Sequence, residues 1–285
     1  MAQNLRQIKN RIRSIENTKK VTAAMEMISV AKLNRIDDRL FTARPYFAKL
    51  QALLNNLLAE TKDISHPLLK ERQAKERTTL CIITSDSGLC GLYNNNVIRI
   101  SENFMRNFDR KKLDLVLVGR RGLNYFRKYG FNILKSYVGF NGNFSVNNAD
   151  EVAGFLKARF INGQADEVFV AYTYFENALT HKPRVQKMLN IFPSLEVRPV
   201  NYIVEPGINE ILEELMPEYV SMMMRLMLLE AFTSEHAART VSMKMATENA
   251  KELLQGLVLQ RNKLRQANIT QDIMEIISSA EALKG

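Results

Sequence analysis

The chain has 285 residues, 46% hydrophobic and 25% charged, which is ordinary for a folded protein of one or two domains. No apolar run is long enough to cross a bilayer as a helix, and two cysteines, Cys81 and Cys90, make no disulfide framework. The net charge of +10 is uneven: residues 1–50 hold 11 Lys/Arg against 4 Asp/Glu, 51–233 hold 22 against 20, and 234–285 hold 7 against 6.

The opening MAQNLRQIKNRIRSIENTKK lacks the apolar centre and small-residue cleavage site of a secretion signal, so a reducing, cytoplasmic setting is expected. Its basic excess fits nucleic acid, an anionic membrane face, an acidic protein partner, or simply a solvated helix face. From Ala2 to Arg44 there is neither Pro nor Gly. Apolar residues recur at Leu5, Ile8, Ile12 and Ile15, then at Ile36, Leu40, Ala43, Phe47, Leu50, Leu54 and Leu57. The alternating steps of three and four predict one supercoiling helix over 1–60, roughly 80 Å long, with Pro45 allowing a bend.

The texture then changes. Residues 79–86, 113–119, 133–139 and 166–175 read as buried strands, and 92–109, 120–130 and 147–163 as helices between them. Alternation of this kind predicts a parallel sheet of linked βαβ units, with short strands near 184–192 and 199–205 extending it. After Glu205-Pro206-Gly207 a second helical pattern runs to the end, roughly 110 Å if continuous, with Pro217 near its start. Its seam is Leu212, Leu215, Tyr219, Met222, Leu226 and Leu229, resuming at Met243, Ala250, Leu254, Leu257 and Leu264. Between lies 233-TSEHAARTVSMKMATEN-249, with Thr233, His236, Thr240 and Thr247 at seam positions.

The expected architecture is therefore α/β: a long antiparallel coiled coil of residues 1–60 and 208–285, with a Rossmann-like α/β domain over 61–207. Setting Leu57 beside Leu212 makes facing residue numbers add to about 269. Lys19, Thr22, Glu26 and Ser29 then meet residues 250 to 240, so two polar stretches face each other. Val21, Met25, Ile28 and Val30 fall off the seam, toward an external partner. Beyond about residue 268 the second helix has no mate, yet Ile269, Ile273, Ile276, Ile277, Ala280 and Leu283 form a stripe. Five large apolar side chains left wet forgo roughly 8–15 kcal/mol, which predicts a socket on another protein.

These segments together resemble the gamma subunit of F-type ATP synthase, of the bacterial type. The resemblance rests on 8-IKNRIRSIENTKKVTAAMEMISVAKL-33, 84-TSDSGLCGLYNNN-96, Glu205-Pro206, 234-SEHAARTVSMKMATENA-250 and 262-NKLRQANITQDIMEIISSAEAL-283. Related chains typically carry Lys at Ala24, Arg at Ser87, Glu at Asp272 and Gly at Ser279. The resemblance implies a non-catalytic rotor shaft without cofactor or metal, turning inside three alpha and three beta subunits. It implies a foot seated with the epsilon subunit on the membrane c ring, at the cytoplasmic face of a bacterial cell membrane, with membrane contact only through that ring. It further implies that Arg265, Gln266, Thr270 and Asp272 meet the ring's catch loops, with Ile273 and Ile276 in the tip. Met25, with Lys19, Lys20, Lys32 and Arg35, would face an acidic lever on beta, and Glu205 would belong to the foot contacts.

Two other classes remain open on the residues alone. The turn Ser85-Asp86-Ser87-Gly88-Leu89-Cys90-Gly91 mimics a phosphate loop or a cysteine nucleophile of an NTP-binding enzyme, without GxGxxG spacing or a Gly-Lys-Ser/Thr ending. A basic coiled-coil nucleic-acid binder has the charge in the first helix but no basic-region pattern.

Overall fold

The structure, a computed structural model, describes residues 2–60, 66–70, 77–191, 205 and 207–282. Two long helices carry the seams read above: α1 (Ala2–Glu60) and α5 (Ile208–Ala282), with Pro45 and Pro217 accommodated inside them. The chain packs as two compact units, Ser29–Arg239 and the paired end segments formed by the first 28 residues and those from Thr240 onward.

The larger unit is built on a five-stranded sheet. Its strands are β1 (Thr78–Ile83), β2 (Leu113–Val118), β3 (Asn132–Tyr137), β4 (Glu167–Phe175) and β5 (His181–Leu189), in the order β3-β2-β1-β4-β5. The β1–β2, β1–β4 and β2–β3 pairs are parallel, and β4–β5 is an antiparallel hairpin. Asn177 closes the hairpin turn, its side-chain oxygen accepting from the Leu179 and Thr180 amides at 2.9 and 2.8 Å. The connecting helices are α2 (Tyr93–Met105), α3 (Arg120–Phe126) and α4 (Val146–Ile161). The expected strand near 184–192 is the antiparallel edge β5, and the one near 199–205 lies outside the described residues apart from Glu205.

Continuous burial along β1 follows from cover on both faces. On one face Cys81, Ile83, Val116, Val118, Val168 and Val170 pack with α4 and with the seams of α1 and α5. Leu40, Leu54 and Leu57 of α1 and Leu212, Tyr219 and Leu229 of α5 are nearly inaccessible there, and the Phe47 and Tyr219 rings stack at 5.2 Å. On the other face Leu80, Ile82, Leu115 and Leu117 pack with Val97, Ile98 and Phe126 of α2 and α3. Gly119, at φ +93°, turns β2 into α3 so tightly that a Cβ would collide with the Thr84 carbonyl.

The smaller unit is an antiparallel helix pair. The Thr247 hydroxyl donates to the Thr22 hydroxyl at 2.8 Å, which is the register expected from the apolar seams. Thr22, Ile12, Met243 and Ala250 are buried between the helices. Farther along, Gln7, Ile8 and Arg11 line one groove with Leu257, Gln260 and Leu264.

Candidate protein-interaction surfaces

Within the smaller unit the side chains fall into two sets. Polar seam residues such as Thr22 are inside, while the apolar residues off the seam are out: Val21 is 57% exposed, Met27 73% and Ile28 58%. Met25 is half-buried beside them, with Lys19 half-buried and Lys20 exposed on the same stretch. Short β-branched hydroxyl side chains let two helix backbones approach, and the helices then turn their larger apolar groups outward. The end of α5 is also open, with apolar and polar side chains exposed together. Ile269, Ile273, Met274, Ile276 and Ile277 are 49–68% exposed, and Arg265, Gln266, Thr270 and Asp272 are exposed beside them. The Thr270 hydroxyl bonds back to the Gln266 carbonyl at 3.0 Å, and that of Ser279 to the Glu275 carbonyl at 2.7 Å, so both serve the helix itself.

The first half of the polar stretch does not behave as the seam pattern suggests. Thr233, Ser234, Glu235, His236 and Arg239 are buried, but against loops at the carboxyl ends of the strands, within the chain's own larger unit. Arg239 donates to Glu235 at 2.7 Å, to the Ser87 hydroxyl at 3.0 Å and to the Gly88 carbonyl at 3.3 Å. His236 sits between the Gly142 carbonyl, 2.9 Å from Nε2, and Arg239, 3.1 Å from Nδ1. Since Arg239 can only donate, Nδ1 accepts and Nε2 carries the proton toward Gly142. Burial holds this ring neutral, with its pKa lowered to about 4, aided by the Arg239 and Lys32 charges. Burial also pushes the Glu235 carboxyl up against the opposing pull of Arg239, and its Oε2 has no hydrogen-bond partner.

Two neighbours complete this junction. Asp86 accepts from the Arg120, Gly139 and Asn141 amides at 3.0, 3.1 and 2.7 Å, joining the two loops. Lys32, expected to face a partner, is half-buried and donates to the Asn141 carbonyl at 3.1 Å; Arg35 one turn on is exposed. A second buried carboxylate, Glu230, is held by Arg44 and Arg184 at 3.3 and 3.5 Å. Neither junction was foreseen from the sequence, although the i, i+4 pair Glu235/Arg239 amid small residues was the available signal.

The phosphate-loop mimic is closed by its own side chains. The Ser85 amide donates to the Asn94 side-chain oxygen at 2.9 Å, and Arg239 occupies Ser87 and Gly88. Cys90 is 2% exposed, accepts from the Asn94 amide at 3.2 Å, and its thiol is pushed up by burial, away from the thiolate a nucleophile needs. Glu205 is exposed just before α5, and no helix among the described residues is long and apolar enough to cross a membrane.

Comparisons with known proteins place the chain in a family. A family model described as ATP synthase matches residues 4–283. The ATP synthase gamma chain of Pelotomaculum thermopropionicum is 38% identical over 284 residues, covering 99% of each chain. That of Heliobacterium modesticaldum is 39% identical over 290 residues, covering 98% of this chain and 99% of its own. Among solved structures, a chain of the Euglena gracilis mitochondrial ATP synthase superposes with a TM-score of 0.69 at 16% identity, covering 99% of this chain and 95% of that one. A chain of the Tetrahymena thermophila mitochondrial ATP synthase central stalk and c ring gives 0.61 at 22% identity, covering 79% and 99%. On full-length sequence identity, the chain belongs to the ATP synthase gamma chain family.

Proposed function

We propose that this gamma chain turns as the shaft of its complex inside three alpha and three beta subunits. Residues 1–60 and 208–285 form the shaft, and residues 61–207 form a foot seated on the membrane c ring beside the epsilon subunit. A gamma chain is a non-catalytic subunit of the rotary ATP synthase, so its task is mechanical. Coupling of that kind requires different contacts with each catalytic site at each angle. The complex stands at the cytoplasmic face of the cell membrane as a peripheral assembly.

The observation that carries this reading is the bare apolar tip of α5, from Ile269 to Ile277. Each such side chain gains about 1.5–3 kcal/mol on burial, and a lone amphipathic helix end is marginal in water. Ile273 and Ile276 enter a greasy bearing at the top of the ring, and Arg265, Gln266, Thr270 and Asp272 meet its loops just below. Met25, with exposed Val21, Met27 and Ile28, forms a collar against a lever on beta, and Lys19, Lys20 and Arg35 suit an acidic surface there. Lys32 supports the collar from within by holding the Asn141 loop. Glu205 lies in the foot contacts.

The test is a chain ended after Leu264, assembled with its alpha and beta subunits and membrane sector. ATP hydrolysis should persist while ATP-driven ion pumping falls several-fold. Unchanged pumping per ATP hydrolysed removes the bearing from the mechanism.

A further inference from the structure

Large apolar side chains interlock paired helices and fix how far one is slid along the other. Over a long stretch the two helices lack them. Between Ile15 and Leu33 the seam positions of α1 are Lys19, Thr22, Glu26 and Ser29, roughly 27 Å of helix. Those of α5 between His236 and Ala250 are Thr240, Met243 and Thr247. Thr22 and Ser29 are buried, so the seam is closed, but among these residues only Met243 is large, apolar and buried. A seam of small hydroxyl groups resists separation far better than sliding. The Thr22–Thr247 bond at 2.8 Å opposes sliding with a single neutral hydrogen bond.

Within the larger unit one loop holds both helices. It is the segment 139–144, between β3 and α4, and three of its carbonyls face helix side chains. Lys32 Nζ of α1 donates to the Asn141 carbonyl at 3.1 Å, and Arg39 Nη1 to that of Phe144 at 3.4 Å. His236 Nε2 of α5 lies 2.9 Å from the Gly142 carbonyl between them. The loop is itself fastened to the sheet. Asp86, just past β1, accepts from the Gly139 and Asn141 amides at 3.1 and 2.7 Å, and the Gly119 amide donates to the Tyr137 carbonyl at 2.8 Å. The loop after β1 adds a second hold on α5, through Arg239 to Ser87 and Gly88. Both helices are thereby tied to one sheet-anchored segment at the end of the smooth stretch.

We propose that the 139–144 loop is a register lock for the helix pair, with Lys32 and His236 as its positioning residues. Hydrogen bonds from charged donors are directional and stronger than neutral ones, so they oppose sliding where the seam does not. The consequence for coupling rests on the shaft reading given above. Twisting a two-stranded coil drives its strands past one another, and strands that slide absorb rotation instead of passing it on. Tying both strands to one body blocks that loss.

The experiment traps the register in the free, full chain by disulfide formation. Thr22→Cys with Thr247→Cys reports the native register, and Thr22→Cys with Ala250→Cys reports a slip of one turn, about 4.5 Å. Lys32→Met with Arg39→Met cuts α1 from the loop. In that background the slipped crosslink should form about tenfold faster relative to the native one, as expected for the loss of one hydrogen bond from a charged donor. His236→Leu, which frees α5 from the same loop, should act alike. Lys32→Arg should behave as the parent, because a guanidinium also donates to the Asn141 carbonyl. A slipped crosslink as slow as the parent's in both release variants overturns the proposal. So does loss of both crosslinks, which would mean that the helices part rather than slide. Assembled with alpha and beta subunits and the membrane sector, the Lys32→Met/Arg39→Met chain should pump fewer ions per ATP hydrolysed, with Lys32→Arg restoring the yield. Full pumping by a chain whose register slips overturns the coupling role. A parent chain that does not turn in its complex would instead sink the shaft reading, and the free-chain crosslinks still decide the lock.

Discussion

Replacing Arg239 by Ala tests the junction where α5 meets the strand-end loops. The substitution removes donors from Glu235, Ser87 and the Gly88 carbonyl, and the Nδ1 donor from His236. It leaves Glu235, which is 0% exposed and already lacks a partner at Oε2, without its hydrogen-bonded counter-charge. Breaking a buried pair from one side costs about 3–5 kcal/mol, mostly because the remaining charge stays desolvated. Replacing both partners, as Glu235→Gln with Arg239→Met, should cost far less, about 1–2 kcal/mol. Cys90 supplies the assay, since it is buried beneath the loop that Arg239 holds and bonds to Asn94 and Ser85. Thiol labelling of Cys90 in native buffer should accelerate in Arg239→Ala by about two to three and a half orders of magnitude, at about 1.4 kcal/mol per tenfold. Cys81, inside β1, reports global unfolding and should lag behind. An unchanged Cys90 rate in Arg239→Ala would refute the reasoning. Equal acceleration in the double variant would show that lost packing, not the stranded carboxylate, is what matters.

The His236 ring adds a pH dependence. Its folded pKa is about 4 against an ordinary 6.5, so the unfolded chain takes up the extra proton between those values. The stability it contributes is complete above pH 6.5 and is lost as pH falls through 4, up to about 3 kcal/mol. Glu235 faces it with a raised pKa and works the other way, gaining stability on acidification, while Arg239 and Lys32 stay charged. The parent's Cys90 labelling should therefore rise on acidification, at matched thiolate fraction, more steeply than that of His236→Gln; parallel curves would exclude the ring. Gly142→Ala puts a methyl group 2.5 Å from His236 Nε2 at a φ of +66° and should raise Cys90 labelling at neutral pH. In the smaller unit, Thr22→Val with Thr247→Val exchanges a part-buried hydroxyl pair for apolar groups of equal shape. Its melting temperature should shift little, whereas Thr247→Val alone should destabilise by about 1 kcal/mol by leaving Thr22 without its donor.

The long helices and the sheet were legible in the residues because each is governed by a period. Leu40, Leu54, Leu57, Leu212 and Leu229 are buried as a heptad requires. Strands between two covered faces appear as unbroken apolar runs, and β1, β2 and β4 fall within a residue or so of the expected starts. The register of the helix pair was fixed by the same periods, and the Thr22–Thr247 bond satisfies it. The exposed tip was legible as an apolar stripe, Ile269, Ile273, Ile276 and Ile277, lying past the last residues of the seam. β5 was placed less well, since an edge strand alternates and carries charge at Lys182 and Arg184.

Residues 233–239 were misread for a reason that reaches beyond this chain. A heptad argument takes the partner of a helix to be another helix, so polar seam residues signal a gap or an outside partner. Here the partner is a set of loops, and loops present backbone groups that must be satisfied wherever they are buried. The Ser234 hydroxyl reaches the Thr173 carbonyl at 3.4 Å, His236 reaches that of Gly142, and Arg239 that of Gly88. Tyr93 returns the bond, its hydroxyl donating to the Ala231 carbonyl at 3.0 Å. Thr, Ser, Glu, His and Arg are therefore what a helix needs where it closes the carboxyl edge of a sheet. The Ser87 hydroxyl, which accepts from Arg239, belongs to the same logic. Sequence alone could not separate this buried polar surface from a solvated one, because both draw on the same residue types and only the fold supplies the carbonyls.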